Sequence, residues 1–69
     1  MSTLRDLRLQ AHLSIAELSR RANVDRKTVE RAEDGQPVQD AKAYAIVEAL
    51  SNILGKSIRL EEVEGLNIL

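Results

Sequence analysis

The chain has 69 residues, a net charge of −1 and no cysteine. This length allows a single domain with a small core, and the lack of cysteine excludes disulfide bonds and thiolate zinc sites. Aromatic residues make up only 1% of the chain, so the core of this domain must be aliphatic. No apolar run is long enough to span a bilayer and no signal-peptide pattern opens the sequence, so we expect a cytoplasmic protein.

A first helix is predicted over about residues 4–11. Thr3 can cap it, and Asp6 stands three residues later, where its side chain can complete a capping box. His12, the only histidine, follows this helix, and histidine is among the few residues other than glycine that are enriched at positive φ. We therefore interpret His12 as a helix terminator.

A second helix is predicted over residues 15–22. Ser14 and Glu17 form another capping-box pattern immediately before its apolar positions. Asn23, which tolerates positive φ, stands where the chain must turn sharply. The pattern indicates two short helices joined by a tight turn.

A third helix is predicted over residues 26–33, with Asp25 as its N-cap and Gly35 as the left-handed residue that ends it. The helical period turns Val29, Ala32 and Glu33 toward the core. The remaining residues of the helix that point outward are mostly cationic: Arg26, Lys27, Glu30 and Arg31.

The second half of the chain predicts a long fourth helix over residues 40–54, capped by Asp40, because aliphatic residues recur there at three- and four-residue steps. A short fifth helix is predicted over residues 60–64 and ends at Gly65. The fold class is therefore all-α, a compact five-helix domain over residues 1–69 with a helix-turn-helix at the second and third helices.

Charge is divided unevenly along the chain. Residues 1–31 carry a net charge of +3, whereas residues 32–69 carry −4. Such a division suits a protein with one surface that faces DNA and another that faces a partner or water, although ordinary solvated surfaces would look the same.

The pattern from Leu13 to Gly35 resembles the helix-turn-helix of the Cro and lambda-repressor-like family, whose members are mostly sequence-specific DNA-binding regulators. The matching positions are Leu13-Ser14, Glu17-Leu18, Asn23-Val24-Asp25, Thr28-Val29 and Glu33-Asp34-Gly35. The resemblance implies that helix 26–33 enters the major groove of double-stranded DNA and that the protein regulates transcription, as a repressor.

The resemblance also implies roles for single residues. Base edges would be contacted by Arg26, Lys27, Thr28 and Arg31, and phosphates by Arg5, Arg20 and Arg21. Glu30 would accept from cytosine or, as we favour, orient Arg26 one turn away. Arg8 and Glu33 stand where the family has a bidentate ion pair between helices, the alternative being that both are exposed to solvent.

Two departures from the family keep a second hypothesis open. Ile15 stands where many members have a glutamine that anchors the phosphate backbone, and Asp34 and Asp40 flank a loop that often approaches DNA. In the alternative, the same fold serves as a protein-interaction module, such as an antitoxin or a subunit of a regulatory assembly, with Ile15 in an apolar contact.

A homodimer is expected because one recognition helix covers few base pairs and related proteins pair on two half-sites. The expected surface is apolar and consists of Leu66, Ile68 and Leu69. Two alternatives are that this tail folds back onto its own core, or that it is the cut edge of a longer chain.

Residue types argue against an enzyme. His12 and Ser14 are the only available base and nucleophile pair, and no carboxylate is spaced to orient them. A metal site would need partners for His12 that the chain does not offer. We therefore expect no catalytic residue, no metal, no cofactor and no small-molecule substrate.

Overall fold

The computed structural model describes residues 2–69. Its helices are α1 (Leu4–Gln10), α2 (Ile15–Ala22), α3 (Arg26–Glu33) and α4 (Asp40–Leu54), followed by a 3-10 turn at Leu60–Glu62. Four two-residue strands complete it, which are β1 (Ser2–Thr3), β2 (Pro37–Val38), β3 (Val63–Glu64) and β4 (Asn67–Ile68). Over these residues the domain is compact and mostly α-helical, with four α-helices.

The prediction of a fifth helix over residues 60–64 was wrong. Only Leu60–Glu62 turn helically, and Val63–Glu64 instead form β3, which pairs in parallel with β1. Val63 is 5% exposed, so the extended backbone places its side chain in the core. Because the next residues must also leave the helix to reach the tail strand, Gly65 turns the chain with φ +77° rather than capping a helix.

Local signals explain where the other helices begin and end. Thr3 Oγ1 accepts from the Asp6 backbone N–H at 3.1 Å, and Asp6 Oδ2 accepts from the Thr3 N–H at 3.1 Å, so the first capping box is formed. His12 has φ +59° and ends α1 as predicted. The cap of α4 differs from the prediction, because Gln39 is its N-cap and Asp40 is its first helical residue.

The core lies between α4 and the three shorter helices. Buried aliphatic side chains come from every helix and from two of the short strands: Leu4, Leu7, Leu18, Val29, Val38, Ile46, Leu50 and Val63. Along each helix these buried positions recur at helical spacing between exposed polar residues, so the helices are amphipathic and their apolar surfaces pack together.

The tail folds back onto the domain. β4 pairs in parallel with β2, and Leu66 and Ile68 pack against the core, half-buried. This outcome matches the first alternative given for the tail and corrects the expectation that all three aliphatic residues form a free surface. Leu69 alone among them is exposed, at 78%.

Candidate nucleic-acid interface

The start of α2 is fixed by its capping box. Ser14 Oγ accepts from the Glu17 backbone N–H at 3.1 Å, and Glu17 Oε1 accepts from the Ser14 N–H at 3.1 Å. The hydrogen bond from the Ser14 backbone lowers the pKa of Glu17 below its ordinary value of 4.5. Together these bonds satisfy backbone donors that the first turn of a helix leaves free.

The turn between α2 and α3 depends on Asn23. This residue has φ +58° and ψ +46°, a left-handed conformation that asparagine tolerates better than most residues. Its N–H donates to Arg20 O at 3.2 Å, and the Val24 N–H donates to Ser19 O at 3.0 Å. Asp25 is the N-cap residue of α3, although its side chain makes no capping hydrogen bond.

The orientation of α3 follows from its two buried residues. Val29 is 0% exposed and Ala32 is 2% exposed, so the side of the helix that carries them packs on the core. The side chains that were predicted to contact base edges divide into two groups. Arg26, Lys27 and Arg31 are exposed, whereas Thr28 is half-buried.

Three cations of α3 are therefore presented to solvent without an acidic partner. Within residues 2–69, the ion pair between Arg8 and Glu33 is the single one at salt-bridge distance. Arg26 and Glu30 consequently make no ion pair in this structure, and the favoured orienting role of Glu30 stays a prediction. Both side chains are exposed, and nothing in the described part of the chain neutralises the arginine.

Arg8 and Glu33 join α1 to the end of α3. Arg8 Nε lies 2.6 Å from Glu33 Oε2, and Arg8 Nη2 lies 3.2 Å from Glu33 Oε1. A third bond from Arg8 Nη1 reaches Leu13 O at 3.0 Å, so the same guanidinium also ties down the segment before α2. The structure thus contains the bidentate pair that the resemblance implies, with only 11% and 8% of the two side chains exposed.

The three arginines that were predicted to contact phosphates lie on the surface of the domain. Arg5, Arg20 and Arg21 are all exposed. Arg21 borders a shallow depression with Asn52 and Ile53 of α4, and no residue of α3 lines it.

A depression of about 180 Å³ beside α3 adds residues that the sequence analysis missed. It is lined by Thr28 and Arg31 of α3, by Pro37, Val38 and Gln39 of the following loop, by Lys42 of α4 and by Leu69. Lys42 could have been found from its position in the first turn of α4, close to the loop. The presence of Leu69 could not, because it depends on the pairing of β4 with β2.

Another depression, of about 490 Å³, lies between α4 and the segment 57–61. Its rim includes Tyr44, Glu48, Arg59 and Glu61, so its charges are mixed. Tyr44 is 59% exposed, and a hydrogen bond to the Glu48 carboxylate raises the pKa of its phenol. No residue of α2 or α3 lines this groove, which separates it from the cationic helix.

Over residues 2–69, no three His, Cys, Asp or Glu side chains are grouped so that they could hold a metal ion. None of the helices in that range combines the length and apolar character needed to cross a bilayer.

Comparison with known proteins gives one match. A family model described as a helix-turn-helix domain covers residues 2–63, which is most of the chain. No curated protein and no solved structure matches the sequence. The matched range includes α1 to α4 and both halves of the motif, with the capped start of α2, the left-handed Asn23 and the buried Val29 at the expected places. The chain therefore belongs to the helix-turn-helix domain family.

Proposed function

We propose that this protein binds double-stranded DNA sequence-specifically as a transcriptional regulator of the Cro and lambda-repressor-like type, acting as a repressor, with α3 in the major groove. One observation carries the proposal. α3 buries Val29 and Ala32 and turns Arg26, Lys27 and Arg31 outward with no acidic partner among residues 2–69. Recognition in the major groove requires a helix that is held rigidly on a core and exposes cationic side chains without acidic partners.

The chemistry of these side chains fits base readout. Arg and Lys donate to O6 and N7 of guanine, which are the acceptors of a G·C pair in the major groove. Because Arg26, Lys27 and Arg31 are exposed and unpaired, they can reach these atoms without first breaking an ion pair. Thr28 is half-buried, so its side chain extends less far into solvent than those of the three cations. Among the four residues proposed to contact bases, it is therefore the one with the least support.

The rigidity of the helix pair supports the same proposal. The capping box of α2, the left-handed turn at Asn23 and the Arg8–Glu33 pair each fix one end of a helix in the motif. Recognition of a base sequence depends on such preorganisation, because loosely held side chains lose entropy when they bind. Ile15 packs partly against the core, which leaves less of its apolar surface for the protein-interaction alternative.

We also propose that the protein acts as a homodimer in the cytoplasm. One recognition helix reads too few base pairs for a regulatory site, and a pair on a palindrome would place the two helices roughly 34 Å apart. Leu66 and Ile68 pack partly against the core of their own chain, so only their remaining surface, together with the exposed Leu69, is open to the proposed contact between copies.

The test begins with selection of a preferred duplex from a random library, followed by fluorescence anisotropy at several salt concentrations. Lys27→Ala and Arg31→Ala should each weaken binding to the selected site by about 1 to 3 kcal/mol and relax preference at one position. Arg20→Ala should weaken all duplexes alike, because phosphate contacts carry no sequence information. Lys56→Ala is the matched control, since it removes an exposed cation that lies outside the motif.

Each outcome has a distinct reading. The proposal is supported if DNA affinity falls steeply as the salt concentration rises and if the alanine substitutions at Lys27, Arg31 and Arg20, but not at Lys56, weaken binding. Uniform weakening by all four substitutions, Lys56→Ala included, would mean that only net charge matters. Failure of the native chain to enrich any duplex would refute DNA binding and favour a protein-interaction module.

A further inference from the structure

The loop that follows α3 is held in place by the carboxy-terminal strand. β4 pairs in parallel with β2 so that Pro37 stands opposite Asn67 and Val38 opposite Ile68. The Leu69 N–H donates to Val38 O at 2.9 Å, which extends the pairing by one bond. Val38 is 4% exposed, so the loop is also anchored from beneath by its own side chain.

The two turns that lead into these strands abut each other. Gly35 has φ +80° and Gly65 has φ +77°. A Cβ atom added to Gly35 would lie 3.5 Å from Gly65 O, which is ordinary van der Waals contact. The position of the loop after α3 is thus set from one side by α3 itself and from the other by the chain around Gly65.

This loop forms one wall of the depression beside the recognition helix. Arg31 and Lys42 stand on its rim with Gln39 between them in sequence, and no acidic residue lines it. None of these three side chains hydrogen-bonds to another residue within the described range 2–69. The rim therefore offers cationic and amide donors whose spacing depends on the loop that connects α3 to α4.

We propose that β4 is a positioning element of the DNA interface, which holds residues 36–39 so that Lys42 and Gln39 reach the phosphate backbone of the duplex whose bases Arg31 contacts from α3. This inference rests on the proposed DNA-binding function. Without β4, Val38 O loses the hydrogen bond from the Leu69 N–H, and the loop is held only through α3 and the buried Val38 side chain. Gln39 and Lys42 would then no longer keep a fixed distance from α3. Disruption of β4 should therefore weaken binding to phosphates and leave the reading of bases unchanged.

Ile68→Ala is the first variant, because Ile68 is half-buried against the core and stands opposite Val38. Ile58→Ala is its matched control. Ile58 is also a half-buried isoleucine packed on the core, but it lines one depression with α4 and another with Ser2 and Leu7, and no residue of α3 lines either of them. Both truncations should lower stability similarly, whereas only Ile68→Ala should change DNA binding.

A second variant avoids any change of side chain. Chemical synthesis of the full chain with an ester in place of the Leu69 amide removes the N–H that donates to Val38 O and leaves every side chain in place. This variant keeps the inference testable if Ile68→Ala fails to fold. Ile68→Val should restore most of the native behaviour, since it keeps a β-branched aliphatic side chain opposite Val38.

Two measurements separate positioning from general destabilisation. Amide hydrogen exchange on the DNA-free protein should show faster exchange at Gln36, Val38 and Gln39 in the Ile68→Ala and ester variants and unchanged exchange there in Ile58→Ala; Pro37 has no amide hydrogen. Anisotropy against the selected duplex should show about a tenfold loss of affinity, with a salt slope that is shallower by about 0.9 for each phosphate that the variant no longer binds. Preference among duplex sequences should stay as in the native chain.

The inference is overturned if the native chain binds DNA and both variants keep its affinity and salt slope, or if Ile58→Ala changes the slope as much as Ile68→Ala. Faster exchange at residues 36–39 with unaltered DNA binding would also overturn it, because the loop would then be held by β4 but not used. If the native chain binds no duplex at all, the proposed function fails first and the inference fails with it.

Discussion

Removal of the Glu33 carboxylate tests whether the domain depends on its buried ion pair. Glu33→Ala would leave the Arg8 guanidinium with Leu13 O as its remaining partner, after the loss of bonds at 2.6 and 3.2 Å. Breaking a buried pair by removing one member costs about 3 to 5 kcal/mol, because the other charge stays buried and uncompensated. Since about a tenth of each side chain remains exposed, we expect the lower end of that range.

The size of the chain makes this loss large. A domain of 69 residues has a total stability of roughly 3 to 10 kcal/mol at about 0.05 to 0.15 kcal/mol per residue. A loss of about 3 kcal/mol would lower the melting temperature by roughly 12 to 24 °C, at about 4 to 8 °C per kcal/mol for a domain of this size. Glu33→Ala should therefore be partly unfolded at physiological temperature.

Urea denaturation followed by far-ultraviolet circular dichroism is the suitable assay, because the protein is helical and has no tryptophan. The urea concentration at half unfolding should fall, with little change in the slope of the unfolding free energy against urea concentration. Glu30→Ala is the matched control, since Glu30 is an exposed glutamate of the same helix without an ion-pair partner in the described chain, and it should change stability by less than about 0.5 kcal/mol.

A double variant separates the charge from the packing. Arg8→Met combined with Glu33→Leu removes both charges and keeps apolar bulk, so it should recover much of the stability lost in Glu33→Ala. A loss below about 1 kcal/mol in Glu33→Ala would refute the reasoning, because that is the range of solvent-exposed pairs. The reasoning would also be refuted if the double variant were less stable than Glu33→Ala alone.

Three further predictions concern single positions. Leu18→Ala should cost about 2 to 5 kcal/mol in a urea titration, because Leu18 is 0% exposed and the truncation opens a cavity; a loss under about 1 kcal/mol would mean that the site collapses around the gap. Gly35→Ala should cost about 1 to 2 kcal/mol by the same assay, since φ +80° strains an alanine while the space for its Cβ is adequate, and Gly35→Asn should cost less. Glu17→Gln should make stability depend less on pH in the acid range, because the hydrogen bond from the Ser14 backbone lowers the pKa of Glu17 in the folded state. The stabilisation from Glu17 is complete above the ordinary pKa of 4.5 and is lost as the pH falls through the lower folded value. Urea denaturation at about pH 3 to 6, which is about one to two units around the ordinary pKa, should detect this, and an unchanged dependence on pH would contradict it.

The parts of the fold that the sequence predicted well are those with local causes. The bounds of α2, α3 and α4 agree with the predicted 15–22, 26–33 and 40–54, because caps and left-handed residues lie next to the bonds that they make. His12 and Asn23 took the positive φ that was expected of them. Helical periodicity also identified Val29 and Ala32 as the buried side of α3.

The parts that the sequence did not predict have distant causes. The segment 60–64 has helix-forming residues, yet Val63–Glu64 pair with Ser2–Thr3, and a two-residue strand leaves no periodic pattern to detect. The same applies to the tail, whose three aliphatic residues suggested an interface, whereas β4 is in fact paired with β2. At the candidate site, the exposed cations of α3 were predicted, but the contribution of Lys42 and Leu69 needed the tertiary structure.

The pairing of β1 with β3 has a consequence for how the protein folds during synthesis. Each helix needs only neighbouring residues, whereas β1 must wait until residues 63 and 64 exist before it can pair. Closing so long a segment costs conformational entropy that only the finished core repays. The joining of Ser2–Thr3 to Val63–Glu64 should therefore be a late step of folding, so that substitutions in this pair should accelerate unfolding more than they slow folding.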